Sequence, residues 1–269
     1  MPGRIIRQRH DPYKHFPCER LRATIPGMRV LVISDVHANI TALEAVLDAA
    51  RPFQALWCLG DTVGYGPDPN ECVELVRSFP NLTCLIGNHD QAALGVIPLA
   101  RFNSDAQESA AWTRGALNSE NISYLESLPS KIVMDPFTLA HGSPRQPIWE
   151  YILDPQAAAR NLDDLRTEYC LVGHSHLPLI FHRASNNGPV TPTAVEWDEA
   201  MRLVPYMILN PGSVGQPRDL DPRAAYAILD TDGLTWEARR AEYDIPQVQG
   251  RITKAGLPPR LAQRLVAGW

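Results

Sequence analysis

Three apolar runs near the start of the chain each end in a short polar signature, and this pattern constrains the fold more than any other feature. Arg29-Val30-Leu31-Val32-Ile33-Ser34 is continuously apolar at its centre. Such a run marks a strand buried on both faces, which needs a layer of structure on each side. It leads into Asp35-Val36-His37. The run Ala55 to Leu59 leads into Gly60-Asp61, and Leu82 to Ile86 leads into Gly87-Asn88-His89-Asp90. Between them, Asn39 to Ala50 reads as a helix capped by Asn39 or Thr41, with Leu43, Val46 and Leu47 at helical spacing. Asp68 to Phe79 reads as a second helix. Strand, helix, strand, helix, strand predicts a parallel sheet covered by helices.

Beyond Asp90 the pattern is helical to about Leu128, with Trp112, Leu117 and Leu125 as core positions. Short strands follow at Lys131–Met134, Phe137–Ala140, Tyr169–Val172, Leu179–Phe181, Tyr206–Leu209, Ala224–Leu229 and Leu234–Arg239. Their close turns predict a second, more antiparallel sheet packed on the first. Residues 184–200 read as a surface hairpin or loop, and the tail from Asp244 to Trp269 as two short helices broken at Gly256-Leu257-Pro258-Pro259. Residues 1–27 carry Arg4, Arg7, Arg9, Lys14, Arg20 and Arg22 but no apolar stretch. They are expected to be a flexible extension rather than a secretory signal, leaving one domain over 28–269.

Composition narrows the class. With 269 residues and 45% apolar content, the chain can bury a core without disulfides. Its five cysteines are odd in number and lack any C-x-x-C pair, which suits free thiols and a cytoplasmic setting. A net charge of −5 argues against stable nucleic-acid binding. No run is apolar enough to span a membrane. Oligomeric state leaves no signal in the sequence.

The histidines are the sharpest signal. Of eight, five (His37, His89, His141, His174 and His176) immediately follow apolar strand runs. One such histidine would be an ordinary satisfied polar residue. Five, at different strand ends and beside Asp35, Asp61 and Asn88, point to a ligand set, because open α/β sheets bind ligands at the carboxyl ends of their strands. Mixed imidazole and oxygen donors without cysteine suit Mn2+, Fe, Zn2+, Co2+ or Ni2+ better than Ca2+ or Mg2+ alone. His10, His15 and His182 have no partner pattern and are expected to be solvated. Trp112, Trp149 and Tyr151 are expected in the core or a pocket wall.

Taken in order, Asp35-x-His37, Gly60-Asp61, Gly87-Asn88-His89-Asp90, His141 and Gly173-His174-Ser175-His176 resemble the calcineurin-like metallophosphoesterase superfamily. The resemblance covers about residues 28–240. Gly64-Tyr65-Gly66-Pro67-Asp68-Pro69, Asn210 to Arg218 and the tail Gly256-Leu257-Pro258 further resemble a small bacterial branch of it. The resemblance implies an α/β/β/α sandwich of two packed mixed sheets flanked by helices, with one metallophosphoesterase domain over 28–269 and a C-terminal helical tail. It implies two divalent ions, Mn2+ first among them. Asp35, His37 and His176 would hold one, Asn88, His141 and His174 the other, and Asp61 would bridge. His89 would be the proton donor or phosphate contact, oriented by Asp90, with Asn88, His89 and Arg218 on the substrate. Two ions roughly 3.5–4 Å apart can share a hydroxide and clamp a phosphoryl group for in-line displacement.

Departures from the family shape the substrate reading. In the protein Ser/Thr phosphatase branch an Asp-Arg pair follows Gly-Asp and an arginine precedes Gly-Asn-His. Here Gly64-Tyr65 follows Val63, Ile86 precedes Gly87, and Asp90 stands in place of Glu. Arg218 or Arg145 can take over as phosphate clamp. The expected substrate is a phosphodiester or small nucleotide-like phosphoester. The alternatives are a phosphatase on phosphoproteins or dinucleoside polyphosphates, and a silent binding module on the same fold. A metallo-β-lactamase-type site is excluded, because no H-x-H-x-D-H run is present.

Overall fold

The computed structural model describes residues 18–20 (backbone), 27–185 and 188–269. From the N-terminus, β1 (Cys18–Arg20) and β2 (Arg29–Ile33) precede α1 (Ile40–Ala50), β3 (Ala55–Cys58), α2 (Pro69–Arg77) and β4 (Leu82–Cys84). A helical stretch follows, α3 (Asn88–Ala93), α4 (Ser104–Ala116) and α5 (Ser119–Ser127). Next come β5 (Lys131–Met134), β6 (Phe137–Ala140), α6 (Pro155–Asp164), β7 (Tyr169–Leu171), β8 (Pro178–Arg183) and β9 (Val190–Thr193). The chain closes with β10 (Ala200–Arg202), β11 (Met207–Pro211), β12 (Ala224–Asp230), β13 (Thr235–Ala241), α7 (Ile245–Lys254) and α8 (Pro259–Ala267).

Two mixed sheets form. One has six strands in the order β10-β13-β12-β2-β3-β4, and the other has seven, β1-β5-β6-β7-β11-β8-β9. β2, β3 and β4 run parallel, as the alternation with helices requires, with Val32 beside Trp57 and Trp57 beside Thr83. In the second sheet β6, β7 and β11 are parallel. Side-chain alternation along β2 explains the layering. Val30 and Val32 face the other sheet and pack with Trp57, Phe137, Leu139, Tyr169 and Leu209. Leu31 and Ile33 face outward, against Leu43, Val46 and Leu47 of α1 and Val73 and Val76 of α2. On the far side, Cys170, Phe181 and Ile208 pack under Ala158 and Leu162 of α6. The result is the expected helix, sheet, sheet, helix sandwich.

Local signals account for the helix ends. Asn39, of the two cap candidates, caps α1 by accepting from the Ala42 N–H at 3.1 Å. Thr41 is left to bond Gln247 of α7. α7 and α8 meet on an apolar seam of Val248, Ile252, Leu257, Leu261 and Leu265 that also covers Tyr65. Arg251 on α7 ties this tail to Asp68 at 2.9 Å. The C-terminal tail thus lies directly behind the loop after β3.

Three expectations need adjustment. The helical stretch expected beyond Asp90 begins earlier, with Asn88 and His89 in the first turn of α3. Residues 184–200 are divided, with β9 pairing to β8 in one sheet, while β10 just beyond pairs to β13 in the other. Most of the expected flexible extension 1–27, with His10 and His15, lies outside the described residues. Within it, Cys18–Arg20 form a strand parallel to Lys131–Val133.

Candidate metal centre

The parallel strands bring their carboxyl ends to one edge, and loops from both sheets converge there. The loop after β2 runs beside the loop after β3, with backbone bonds from Asp35 N to Gly60 O at 3.0 Å and from His37 N to Asp61 O at 3.0 Å. The loop after β7 closes on them from the other sheet, where the Gly173 N–H donates to His141 O at 2.8 Å. Two glycines permit this approach. A Cβ on Gly87 would lie 2.0 Å from Asp61 Oδ1, and one on Gly173 would lie 1.9 Å from Ser34 Oγ. Several non-glycine residues here adopt left-handed backbone, among them Asp35, His37, Asp61, His174 and His176. Strained conformations of this kind gather at functional sites.

Two donor groups result, Asp35 with His37 and His176, and Asp61 with His141 and His174; all six residues are buried. Asp61 Oδ2 lies between the two groups, 3.2 Å from His141 Nε2 and 3.8 Å from His37 Nε2. Asn88 Oδ1 joins the second group, 3.0 Å from His141 Nε2. His176 Nε2 is 3.3 Å from Asp35 Oδ1. Every proposed ligand is therefore brought together.

The atoms themselves call for cations. His37 donates its Nδ1–H to Val63 O at 3.2 Å, His141 to Leu59 O at 3.0 Å and His176 to Gln216 O at 2.6 Å. In a neutral ring, as at His37 and His176, a carbonyl at Nδ1 fixes that tautomer and leaves Nε2 as a bare lone pair. Yet His37 Nε2 and His176 Nε2 face each other at 3.0 Å. Burial drives both imidazoles well below their usual range, so neither carries a second proton to relieve the contact. Asp35 Oδ1 and Asp61 Oδ2 are buried without a hydrogen-bond partner. Unpaired buried carboxylate oxygens and opposed lone pairs are costly unless a positive ion sits among them. These residues fit two divalent ions.

The remaining carboxylate oxygens are occupied. Asp35 Oδ2 accepts from Ser34 Oγ at 2.6 Å and from His174 N at 3.0 Å. Asp61 Oδ1 accepts from His89 N at 2.8 Å. Burial pushes Asp35 up to about 6, with Asp61 adding to the rise and His141 opposing it. Burial works the same way on Asp61, but His141, His89 and His37 hold it well below the carboxylate range. For His141 burial favours the neutral ring, and the adjacent Asp61 overrides it, raising His141 to about 9.

Asp90 departs from the expected role. Its carboxylate accepts three backbone N–H groups, from Asp61 at 2.9 Å, Gly87 at 2.8 Å and Val63 at 2.9 Å. It therefore clamps the loop after β3 to the start of α3, and no hydrogen bond joins it to the His89 ring. His89 Nδ1 is buried without a partner. The ring instead sits among Tyr65, Phe102 and His37, with centroids 4.3, 5.0 and 5.0 Å away. Burial lowers it to about 4, with Arg218 and His141 reinforcing and Asp61 opposing.

Of the two candidate clamps, Arg218 lies at the site. Its backbone N–H donates to His176 O at 3.3 Å, its guanidinium bonds Gln216 Oε1 at 3.0 Å, and it faces the Tyr65 ring at 5.9 Å. Arg145 is paired with Asp164 at 3.3 Å and lines a separate basic cavity of about 410 Å3 with Lys131 and Arg166. The segment Asn210 to Arg218, legible in the sequence only as a family resemblance, has a structural role as well. Val214 N donates to Ser34 O, Gly215 N to Asp35 O, and Ser213 Oγ to Asp35 O, so this segment props the first donor group from below. Its Asn-Pro-Gly-Ser run was visible; that backbone carbonyls would orient the histidines was not.

Comparison with known proteins agrees with this geometry. Residues 28–234 match the model of the calcineurin-like phosphoesterase superfamily domain. The chain is similar to a metallophosphoesterase from Sphaerobacter thermophilus, with 45% identity and a TM-score of 0.83 over 90% of this chain and 100% of that one. It is 38% identical over 247 residues to an uncharacterized protein of Methanocaldococcus jannaschii, covering 89% of this chain and 98% of the other. It is also 25% identical over 179 residues to a symmetrical bis(5'-nucleosyl)-tetraphosphatase of Vibrio campbellii, covering 65% of this chain and 62% of that enzyme. The family match over residues 28–234, with relatives of 38% and 45% identity aligned over nearly their whole length, places the chain in the calcineurin-like phosphoesterase superfamily.

Proposed function

We propose that this chain is a two-metal hydrolase of phosphodiesters or small nucleotide-like phosphoesters. The observation that carries the reading is Asp61 Oδ2, fully buried and within 4 Å of a histidine from each donor group. Asp35, His37 and His176 would hold one ion and Asn88, His141 and His174 the other, with Asp61 between them. Two divalent ions there supply a Lewis-acid clamp on the phosphoryl group and a water that ionises near neutral pH. Asp35 and Asp61 bring two negative charges against four positive ones, leaving a site that attracts phosphate. Arg218 adds positive charge at the rim. At neutral pH the His89 ring of the metal-free site is neutral, and its N–H would donate to an incoming phosphoryl oxygen. Negative charge on a bound ester raises the His89 pKa and lets the ring hold a proton for the leaving alkoxide. Mn2+ suits the mixed imidazole and oxygen donors. Free thiols at Cys58, Cys72, Cys84 and Cys170 are compatible with a reducing cytoplasm, and among the described residues no helix is long and apolar enough to cross a membrane.

The test is metal content of the purified protein together with turnover of an aryl phosphodiester and an aryl phosphomonoester with added Mn2+. Near two ions per chain and faster diester hydrolysis support the proposal. His89→Ala is expected to lower kcat about 100- to 10,000-fold while metal content stays unchanged. Absence of bound transition metal and of turnover on both esters would overturn the enzyme reading in favour of a binding module. Similarity to a bis(5'-nucleosyl)-tetraphosphatase supports a second reading, hydrolysis of dinucleoside polyphosphates. Faster turnover of diadenosine tetraphosphate than of either aryl ester would favour it.

Metal uptake should also depend on pH. In the metal-stripped protein His141 is protonated up to about 9 by its pairing with Asp61. That pair stabilises the metal-free fold fully below the ordinary imidazole range, and the contribution fades as pH rises through about 9. A metal ion must displace the same proton, so apparent affinity at the second donor group rises about tenfold per pH unit below that value. Calorimetric titration with Mn2+ in two buffers of different ionisation heat would show the released proton. Affinity independent of pH, with no proton released, would contradict the assignment of His141 as a ligand.

A further inference from the structure

A set of aromatic rings surrounds the centre, and one of them is placed differently from the rest. Phe102 packs against His89 at 5.0 Å and against Trp149 at 5.3 Å. Trp149 meets His174 edge-on at 6.3 Å, and the Arg101 guanidinium lies 4.7 Å over the Trp149 ring. Tyr65 is 5% exposed and sealed behind His37 and His89. These three rings form a wall. Tyr151 lies nearly parallel to the His174 imidazole, with centroids 3.9 Å apart and planes 20° apart. It is nevertheless 45% exposed, and Leu153 beside it is 51% exposed.

A tyrosine whose task is core packing hides both faces. This one covers a proposed metal ligand with one face, while the residue as a whole keeps 45% of its surface exposed. A second ring stacked on the outer face of Tyr151 would lie about 7–8 Å from His174, two stacking spacings away. One sugar separates a nucleobase from its phosphate by a comparable span. The charge of Arg218 reaches the Tyr151 ring, and its guanidinium suits further phosphate oxygens.

We infer that Tyr151 is a specificity-determining residue that stacks a nucleobase of the substrate, so that the site takes nucleotide esters in preference to alkyl phosphoesters. This rests on the phosphoesterase reading above and narrows its substrate class. It predicts that the metal-loaded protein binds adenosine monophosphate about tenfold more tightly than methyl phosphate, the gain expected of one base on one aromatic ring. Tyr151→Ala removes that advantage and Tyr151→Phe keeps it.

The experiment titrates both phosphates calorimetrically into wild type, Tyr151→Ala and Tyr151→Phe, each with metal content measured. Turnover of an adenosine-containing diester and of an alkyl diester is followed in parallel. Support is a KM for the adenosine diester raised about tenfold in Tyr151→Ala, with two ions per chain retained and a clearly smaller rise for the alkyl diester. Equal losses on both diesters, or loss of an ion, would overturn the inference and make Tyr151 a positioning residue for His174. Wild type that fails to discriminate the two phosphates would also overturn it. If the fully loaded protein neither binds a phosphate nor turns over a diester, the phosphoesterase reading itself fails and takes this inference with it.

Discussion

Asp61→Asn is expected to reduce kcat by on the order of a thousandfold or more and to lower the metal content from two ions toward one. Losing about 4 kcal/mol of transition-state stabilisation corresponds to that factor. The substitution is chosen for its narrowness. Asparagine tolerates the left-handed backbone found at Asp61. Its carboxamide oxygen can still accept from the His89 N–H, as Asp61 Oδ1 does at 2.8 Å. What changes is the other atom, where a carboxylate oxygen facing both donor groups becomes an N–H2 group that repels cations. Kinetics at saturating Mn2+, plasma mass spectrometry and a melting curve would separate the effects. A protein that keeps two ions and near wild-type turnover would remove Asp61 from its bridging role.

The second large effect falls on stability. Asp90→Ala leaves three buried backbone donors, on Asp61, Gly87 and Val63, without the carboxylate they share. At about 1–3 kcal/mol for each of the three unsatisfied buried donors, the expected cost is about 3–9 kcal/mol, read as a shift in the urea midpoint. Asp90→Asn keeps one acceptor oxygen and should fall between the two. Had Asp90 only oriented His89, both variants would unfold like wild type and differ from it in pH profile alone. Unchanged urea midpoints would therefore restore the orienting role.

That contrast shows where the sequence was readable and where it was not. Strand ends were legible because buried parallel strands are nearly pure apolar runs, so Asp35, Asp61 and His141 stand out where each run stops. Asn39 was legible as a cap because its side chain does a local job three residues away. Asp90 was misread because an aspartate next to a histidine suggests a side-chain pair, whereas its real partners are N–H groups on a loop 27 and 29 residues upstream. Backbone donors leave no trace in residue identity. The carbonyls of Leu59, Val63 and Gln216 that set the histidine tautomers are invisible for the same reason. Arg145 and Arg218 were alike as sequence, and the ion pair with Asp164 decided between them.

The two donor groups also share a feature that bears on how the protein is made. Each takes residues from both sheets. Asp35, His37, Asp61 and Asn88 follow the first sheet's strands, and His141, His174 and His176 the second's. The contact between Asp35 and the His174 N–H spans 139 residues of chain. A ribosome therefore releases the early donors long before their partners exist, and a half-synthesised chain offers any ion at most part of a coordination shell. On the two-metal reading, metal capture would be a late event that follows docking of the two halves. The ion finally held is then chosen from whatever the surrounding compartment supplies to the finished chain.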